Sequence, residues 1–303
     1  AWSSDVCSSD LDGDAVGVPQ AARLGGAAAE HGHVGTHRHR RLGLGAGQLG
    51  DLSGSADIVA GFQVPERSVQ TQWVADRFVA AILAEPGIEL SLNSRVSAVE
   101  AASGSDQGPW TLASSQGRLG PFSHVINALW EGRIAVDQSG GIAPVPPWSH
   151  RYRLALFLRT ARELTVRCTV VATGPFGDVK NYNGRDFYLS WYPAGLMAEG
   201  SAVSPPTVDA AALADRDRLI DAVFENLVAL LPAVSGLRDA AETIDIGGGW
   251  VFAAGQGRLS DPSATLHERW RYGTQRRGTY LSVDTGKYST APWMAREIAA
   301  ALA

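Results

Sequence analysis

Three stretches near the middle of the chain, residues 152–158, 166–171 and 187–192, place apolar side chains on alternate positions. That period of two belongs to a strand with one buried face. The stretches follow one another with turn residues between them, Asn183-Gly184 among them. Consecutive strands joined by turns form an antiparallel sheet, which is expected from about residue 150 onward.

On either side of this sheet the pattern changes. Val69, Trp73, Val74, Phe78, Ala81 and Ile82 recur at three- and four-residue spacings, giving a helix with one apolar face. Ser68 can cap its start and Pro86-Gly87 ends it. Strands are expected at 88–92, 95–99, 110–112 and 122–129. The last is nearly continuous in apolar character, as a buried parallel strand should be. Leu219, Ile220, Val223, Phe224, Leu227, Val228 and Leu231 mark a second amphipathic helix, stopped by Pro232. Strands follow at 250–252 and 280–283. A final helix starts near Pro292, with Thr290 as its cap.

Residues 1–55 differ in kind. Residues 5–11, DVCSSDL, match one reading frame of a sequencing-library adapter, and residues 12–55 contain no Ile, Phe, Tyr, Trp, Lys, Asn or Met. Such a stretch can bury little apolar surface against the entropy of ordering. An artefactual or disordered leader is expected there, with coherent sequence from residue 56. The first methionine is Met197, so the chain is expected to be a fragment. Two motifs in the leader are read as coincidence. His31, His33, His37 and His39 lack a cysteine or carboxylate at a ligand spacing. Gly45-Ala46-Gly47-Gln48-Leu49-Gly50 matches GxGxxG, but neither flank reads as the strand and helix which that motif needs.

The bulk numbers exclude several classes. A net charge of −5 is not that of a nucleic-acid binder. No run of 18 apolar residues exists, so no membrane span is expected. Cys7 and Cys168 are the two cysteines, and one lies in the suspect leader, so no structural disulfide is expected and a cytoplasmic location is the default. There is no GxSxG nucleophile elbow.

From Gly61 to Ala303 the chain resembles the FAD-dependent oxidoreductases of the D-amino-acid-oxidase superfamily. The segments that carry the resemblance are GFQVPERS (61–68), VINALWEG (125–132), GPFGDV (174–179), LSWYPAG (189–195), SVDTGK (282–287) and Thr290-Ala291-Pro292. Their order matches the family from end to end. The resemblance implies an α/β fold with α+β character. An incomplete Rossmann-like FAD domain (56–149 and 237–303, lacking its N-terminal βαβ unit) would hold an antiparallel-sheet substrate domain (150–236). It implies FAD contacts at Val96, Asn127, Ala128, Gly286, Lys287 and Thr290. Lys287 would place positive charge near the flavin's N1–C2 carbonyl, stabilising the reduced anionic ring. The substrate, a small amine, amino acid or hydroxy compound, would meet Arg153, Tyr188 and Tyr192, the arginine clamping a carboxylate. Trp191 falls on the opposite strand face from the two tyrosines. Asp284 and Glu131 lie near the motif segments without an assigned role, and no general base is named. A cofactor-free, inactive fragment and a β-rich ligand-binding domain are the competing readings.

Overall fold

A computed structural model describes residues 14–17, 42–64, 68–172, 177–209, 215–258, 261, 263–267 and 272–302. Strand β8 (Ser149–Thr160) is the spine of the largest sheet. β13 (Ala241–Ala253) pairs antiparallel with it along its whole length, from Ala253 opposite Ser149 to Ala241 opposite Thr160. On the other edge of β8, β12 (Leu196–Gly200) takes the first half and β11 (Asp186–Trp191) the second. The sheet continues through β10 (Gly177–Asn181) and β9 (Thr169–Ala172). β1 (Asp14–Gly17), β3 (Ala60–Gln63) and β2 (Leu42–Gly43) complete it. The antiparallel order expected for the middle of the chain is present.

One face of this sheet carries the core. Helix α5 (Arg216–Leu230) starts at Asp215, whose carboxylate accepts from the Arg218 amide and satisfies one of the free N-terminal donors. Its apolar stripe, Leu219, Val223, Phe224 and Leu227, packs on Leu154, Leu156, Leu189 and Trp191 from β8 and β11. Each such side chain taken out of water contributes ~1.5–3 kcal/mol.

Two smaller sheets lie on the flanking sequence. β7 (Val125–Asn127) runs parallel to β15 (Tyr280–Asp284), and β14 (Gly273–Arg277) runs antiparallel to β15. β4 (Val96–Ala101), β5 (Trp110–Ser114) and β6 (Gly117–Phe122) form an antiparallel meander. Helix α3 (Arg133–Ser139) joins the two, because Val136 packs with Val99, Trp110 and Tyr280. Helix α7 (Ala291–Leu302) covers β15 through Met294 and Ile298 on Leu281 and Val283.

Several expectations need correction. β7 is parallel as read, but it is short and Ile126 is 47% exposed, so it is buried on one face only. Residues 88–92 are not a strand: they join no ladder among the described residues, and Ile88 and Leu92 are exposed. Helix α2 (Thr71–Ala84) forms, yet none of its apolar residues is buried among the described residues; Trp73 is 57% and Leu83 70% exposed. Ser68 does not cap it, since its hydroxyl donates to the Cys168 sulfur 3.1 Å away. Thr290 does not cap α7 in the expected sense either: its hydroxyl donates to the Lys287 and Thr285 carbonyls.

The leader also departs from expectation in part. β1 and β2 join the large sheet by backbone pairing, which needs no bulky side chain. The GxGxxG match does sit after a strand, β2, and within a helix, α1 (Ala46–Leu52). That helix is seven residues long and buries none of them. The four leader histidines lie outside the described residues, among which no His/Cys/Asp/Glu group could hold a metal.

β13 was legible only at its end, 250–252, because Gly247-Gly248-Gly249 reads as a break. The structure explains the glycines. A Cβ at Gly247 would lie 2.6 Å from the Phe157 ring, and one at Gly248 would lie 2.5 Å from Leu154. Both close approaches come from β8. We predict that Gly248→Val lowers unfolding stability by about 1–3 kcal/mol through overpacking. Gly236→Ala, in helix α6 (Ser235–Asp239) with open space around it, raises stability by up to ~1 kcal/mol. Denaturant melts of the two variants should move in opposite directions.

Candidate functional site

β7 and β15 are parallel neighbours, so their carboxyl ends open on the same side. That edge is where an open α/β sheet receives a ligand. Of the six residues expected to hold the cofactor, five gather there. Asn127 closes β7 and Ala128 follows it; Gly286, Lys287 and Thr290 lie in the loop from β15 to α7. Val96 does not join them. It opens β4 in the separate meander sheet.

The loop after β15 is set by local bonds. Gly286 has φ +62, the left-handed region that glycine enters without strain. A Cβ there would also lie 2.9 Å from that of Tyr272. The backbone angle and the contact with Tyr272 thus each call for glycine here, apart from any contact with a cofactor. The Gly286 amide already donates to Asp284 Oδ1 (2.8 Å), and the Lys287 and Thr290 amides donate to the Thr285 and Lys287 carbonyls. After β7, the Leu129 amide donates to Asn127 Oδ1. The Trp130 indole donates to the Trp250 carbonyl at 2.9 Å and meets the Phe252 ring edge-on, tying this end to β13.

Beneath the edge lies a buried polar cluster. The Asp137 carboxylate accepts from Asn127 Nδ2 (2.8 Å), Tyr280 Oη (2.7 Å), Ser282 Oγ (2.6 Å) and Arg133 Nη1 (3.2 Å). Arg133 also reaches Asp284 Oδ2 at 3.3 Å, and its guanidinium lies 5.0 Å from the Phe252 ring centre. Burial raises the Asp284 pKa, and Arg133 opposes the shift. Burial and the bond to Asp137 push the Tyr280 phenol well above its usual range. A cleft of about 230 Å³ opens beside the cluster, lined by Arg133, Asp284, Trp148, Phe252 and Tyr272 among others.

The residues expected to meet a substrate lie on the large sheet. Arg153 stacks 4.1 Å over the Tyr192 ring and donates to Ser190 Oγ (2.8 Å), which donates in turn to Asp178 Oδ2 (3.2 Å). Tyr188 packs edge-on against Phe157 and is fully buried. Trp191 points the other way, into the core with α5, as the alternation requires. Tyr192 leaves the strand and starts a one-turn helix. Neither Arg153 nor either tyrosine lines the cleft.

Arg133, Asp137, Tyr280 and Ser282 were not singled out from the sequence. Two signals were present. Arg133 and Asp137 stand four apart on one helix, and Tyr280, Ser282 and Asp284 put a polar face on an otherwise apolar strand.

No family model and no characterised protein sequence matches the chain. Its fold has solved relatives. Glycine oxidase from Geobacillus kaustophilus superposes with a TM-score of 0.60 at 13% identity, over 86% of this chain and 62% of the other. NikD, an unusual amino acid oxidase essential for nikkomycin biosynthesis, gives 0.55 at 13% identity, over 85% and 63%. Iminodiacetate oxidase from Chelativorans sp. BNC1 gives 0.51 at 16%, over 85% and 61%. The chain thus has the fold of the D-amino-acid-oxidase-like oxidoreductases, and it spans about three-fifths of the length of these three proteins. No described helix is long and apolar enough to cross a membrane.

His150, on β8 against Phe252 and Trp250, tests the local electrostatics. Burial holds its pKa down to about 4, and the Arg133 guanidinium pushes the same way. A depressed histidine leaves full stability above the unfolded value of about 6.5 and loses it as pH falls through the folded value. We predict that the wild type loses up to about 3 kcal/mol between pH 7 and pH 4 relative to His150→Gln. Urea melts of both proteins at the two pH values measure it.

Proposed function

We propose that this protein is an FAD-dependent oxidoreductase acting on a small amine, amino acid or hydroxy compound. The single observation that carries the reading is the convergence of Asn127, Ala128, Gly286, Lys287 and Thr290 at the ends of two adjacent parallel strands. That edge suits the ring end of a flavin. Asn127-Ala128 and the Gly286 turn would flank the ring and ribityl chain. The start of α7, twelve residues long, would offer its positive dipole to anionic oxygens. Lys287 would add positive charge beside the ring. When bound, FAD supplies the chemistry, accepting the hydride removed from a C–N or C–O bond.

The domain organisation follows the same reading. The two smaller sheets form part of an FAD domain, and the large sheet is the substrate domain, extended to include β13. The exposed apolar residues of α2, and Ile88, Leu92 and Ile126, are apolar area that a further βαβ unit of that domain would cover. Arg153 on β8 and Tyr192 just after β11, stacked on one another, would orient a substrate carboxylate, with Tyr188 on β11 as the third contact.

The protein expressed from its complete reading frame should purify with bound flavin, seen as absorbance near the visible flavin maxima. Gly286→Val should reduce FAD affinity at least about tenfold, by straining a left-handed turn. A protein that shows no saturable quenching of flavin fluorescence overturns the assignment and favours a cofactor-free domain.

A further inference from the structure

We propose that Asp137 is a positioning residue: its carboxylate clasps the ends of β7 and β15 so that the two loops leaving them move as one unit. This inference rests on the flavin reading only for its consequence, since the clasp itself is geometric. The bond chain is continuous. It begins at the Leu129 amide, held by Asn127 Oδ1, and passes through Asn127 Nδ2 to Asp137. From Asp137 it runs to Ser282 and Tyr280 on β15, and through Arg133 to Asp284. It ends at the Gly286 amide, held by Asp284 Oδ1. One carboxylate on α3 therefore connects a backbone amide in each loop, although α3 itself belongs to neither.

The residue type is dictated by the donors. Four N–H or O–H groups aim at Asp137, two at each oxygen. A carboxylate accepts all four. Asn127 Nδ2 has the Arg133 carbonyl, and Arg133 Nη1 has Ser282 Oγ, as further acceptors; an amide would still turn one acceptor into a donor and leave either the Tyr280 or the Ser282 hydroxyl facing it unmatched. Buried networks of this kind are rigid when every member is satisfied and costly when one is not. Apolar packing also holds these elements, Val125 of β7, Val136 of α3 and Tyr280 of β15 meeting Val99 and Trp110 of the meander, so the fold does not rest on the clasp alone. The flavin-bearing edge would then be preorganised by a buried carboxylate that acts through the donors it holds.

Amide hydrogen exchange with Asp137→Asn and the milder Ser282→Ala tests this, with Val99→Ala as a packing control. The clasp predicts that the Leu129 and Gly286 amides exchange faster together in both variants, roughly tenfold in Asp137→Asn. In Val99→Ala the two amides should change no more than the rest of the domain. Loss of protection confined to one loop, or a uniform loss equal to the control's, overturns the clasp. FAD affinity, measured on the same variants in the protein from its complete reading frame, separates the two ideas. If both loops loosen and affinity falls with them, both stand. If both loops loosen and affinity is unchanged, the clasp stands and the flavin assignment of this edge falls.

Discussion

The backbone ladder along β8 is the constraint on which the rest of the structure depends. Twelve residues long, it is paired along one edge by β13 and along the other by β12 and β11 in succession. A central strand has no free backbone groups to solvate, so its register fixes which side chains face each way. One set, Leu154, Leu156 and Leu158, faces the α5 core. The alternate set, with Arg153 and Phe157, faces the polar side with Ser190 and Tyr188. The core and the candidate substrate residues are thus two consequences of one register. The glycines of β13 belong to the same constraint, since bulk at Gly247 or Gly248 would push the two longest strands apart.

The second centre, around Asp137, works on a different principle. The large sheet is held by apolar burial, whereas the β7–β15 edge is held by charge and hydrogen bonds. Arg133 lies between two carboxylates, and a Ser, a Tyr and an Asn complete the set. Such a cluster contributes little net stability against apolar alternatives of the same shape. What it does provide is a unique arrangement of two loop starts. Trp130 then ties that arrangement to β13, so the edge and the large sheet share a fixed geometry.

The strands of the large sheet were legible because alternation of apolar residues survives wherever one face is buried, as at 152–158 and 187–191. α5 was legible for the same reason at a period of 3.6. Reading failed where pattern and partner part company. Residues 88–92 alternate but pair with nothing described, and α2 has an apolar face that no described element covers. The glycine run of β13 hid a thirteen-residue strand, because glycine's value there lies in contacts with β8 that no local pattern records. Five of the six expected cofactor residues meet in space, though the resemblance, not periodicity, had pointed to them. The Asp137 clasp was missed because, Arg133 aside, the partners of Asp137 lie 10 to 145 residues from it in sequence, and a buried carboxylate in a helix looks like any exposed one.

The most direct measurement is a structure of the protein, expressed from its complete reading frame, with FAD bound. The account places the flavin ring against Ala128 and the Gly286–Thr290 loop. A ring seated elsewhere, or the absence of any bound flavin at saturating FAD, would contradict it.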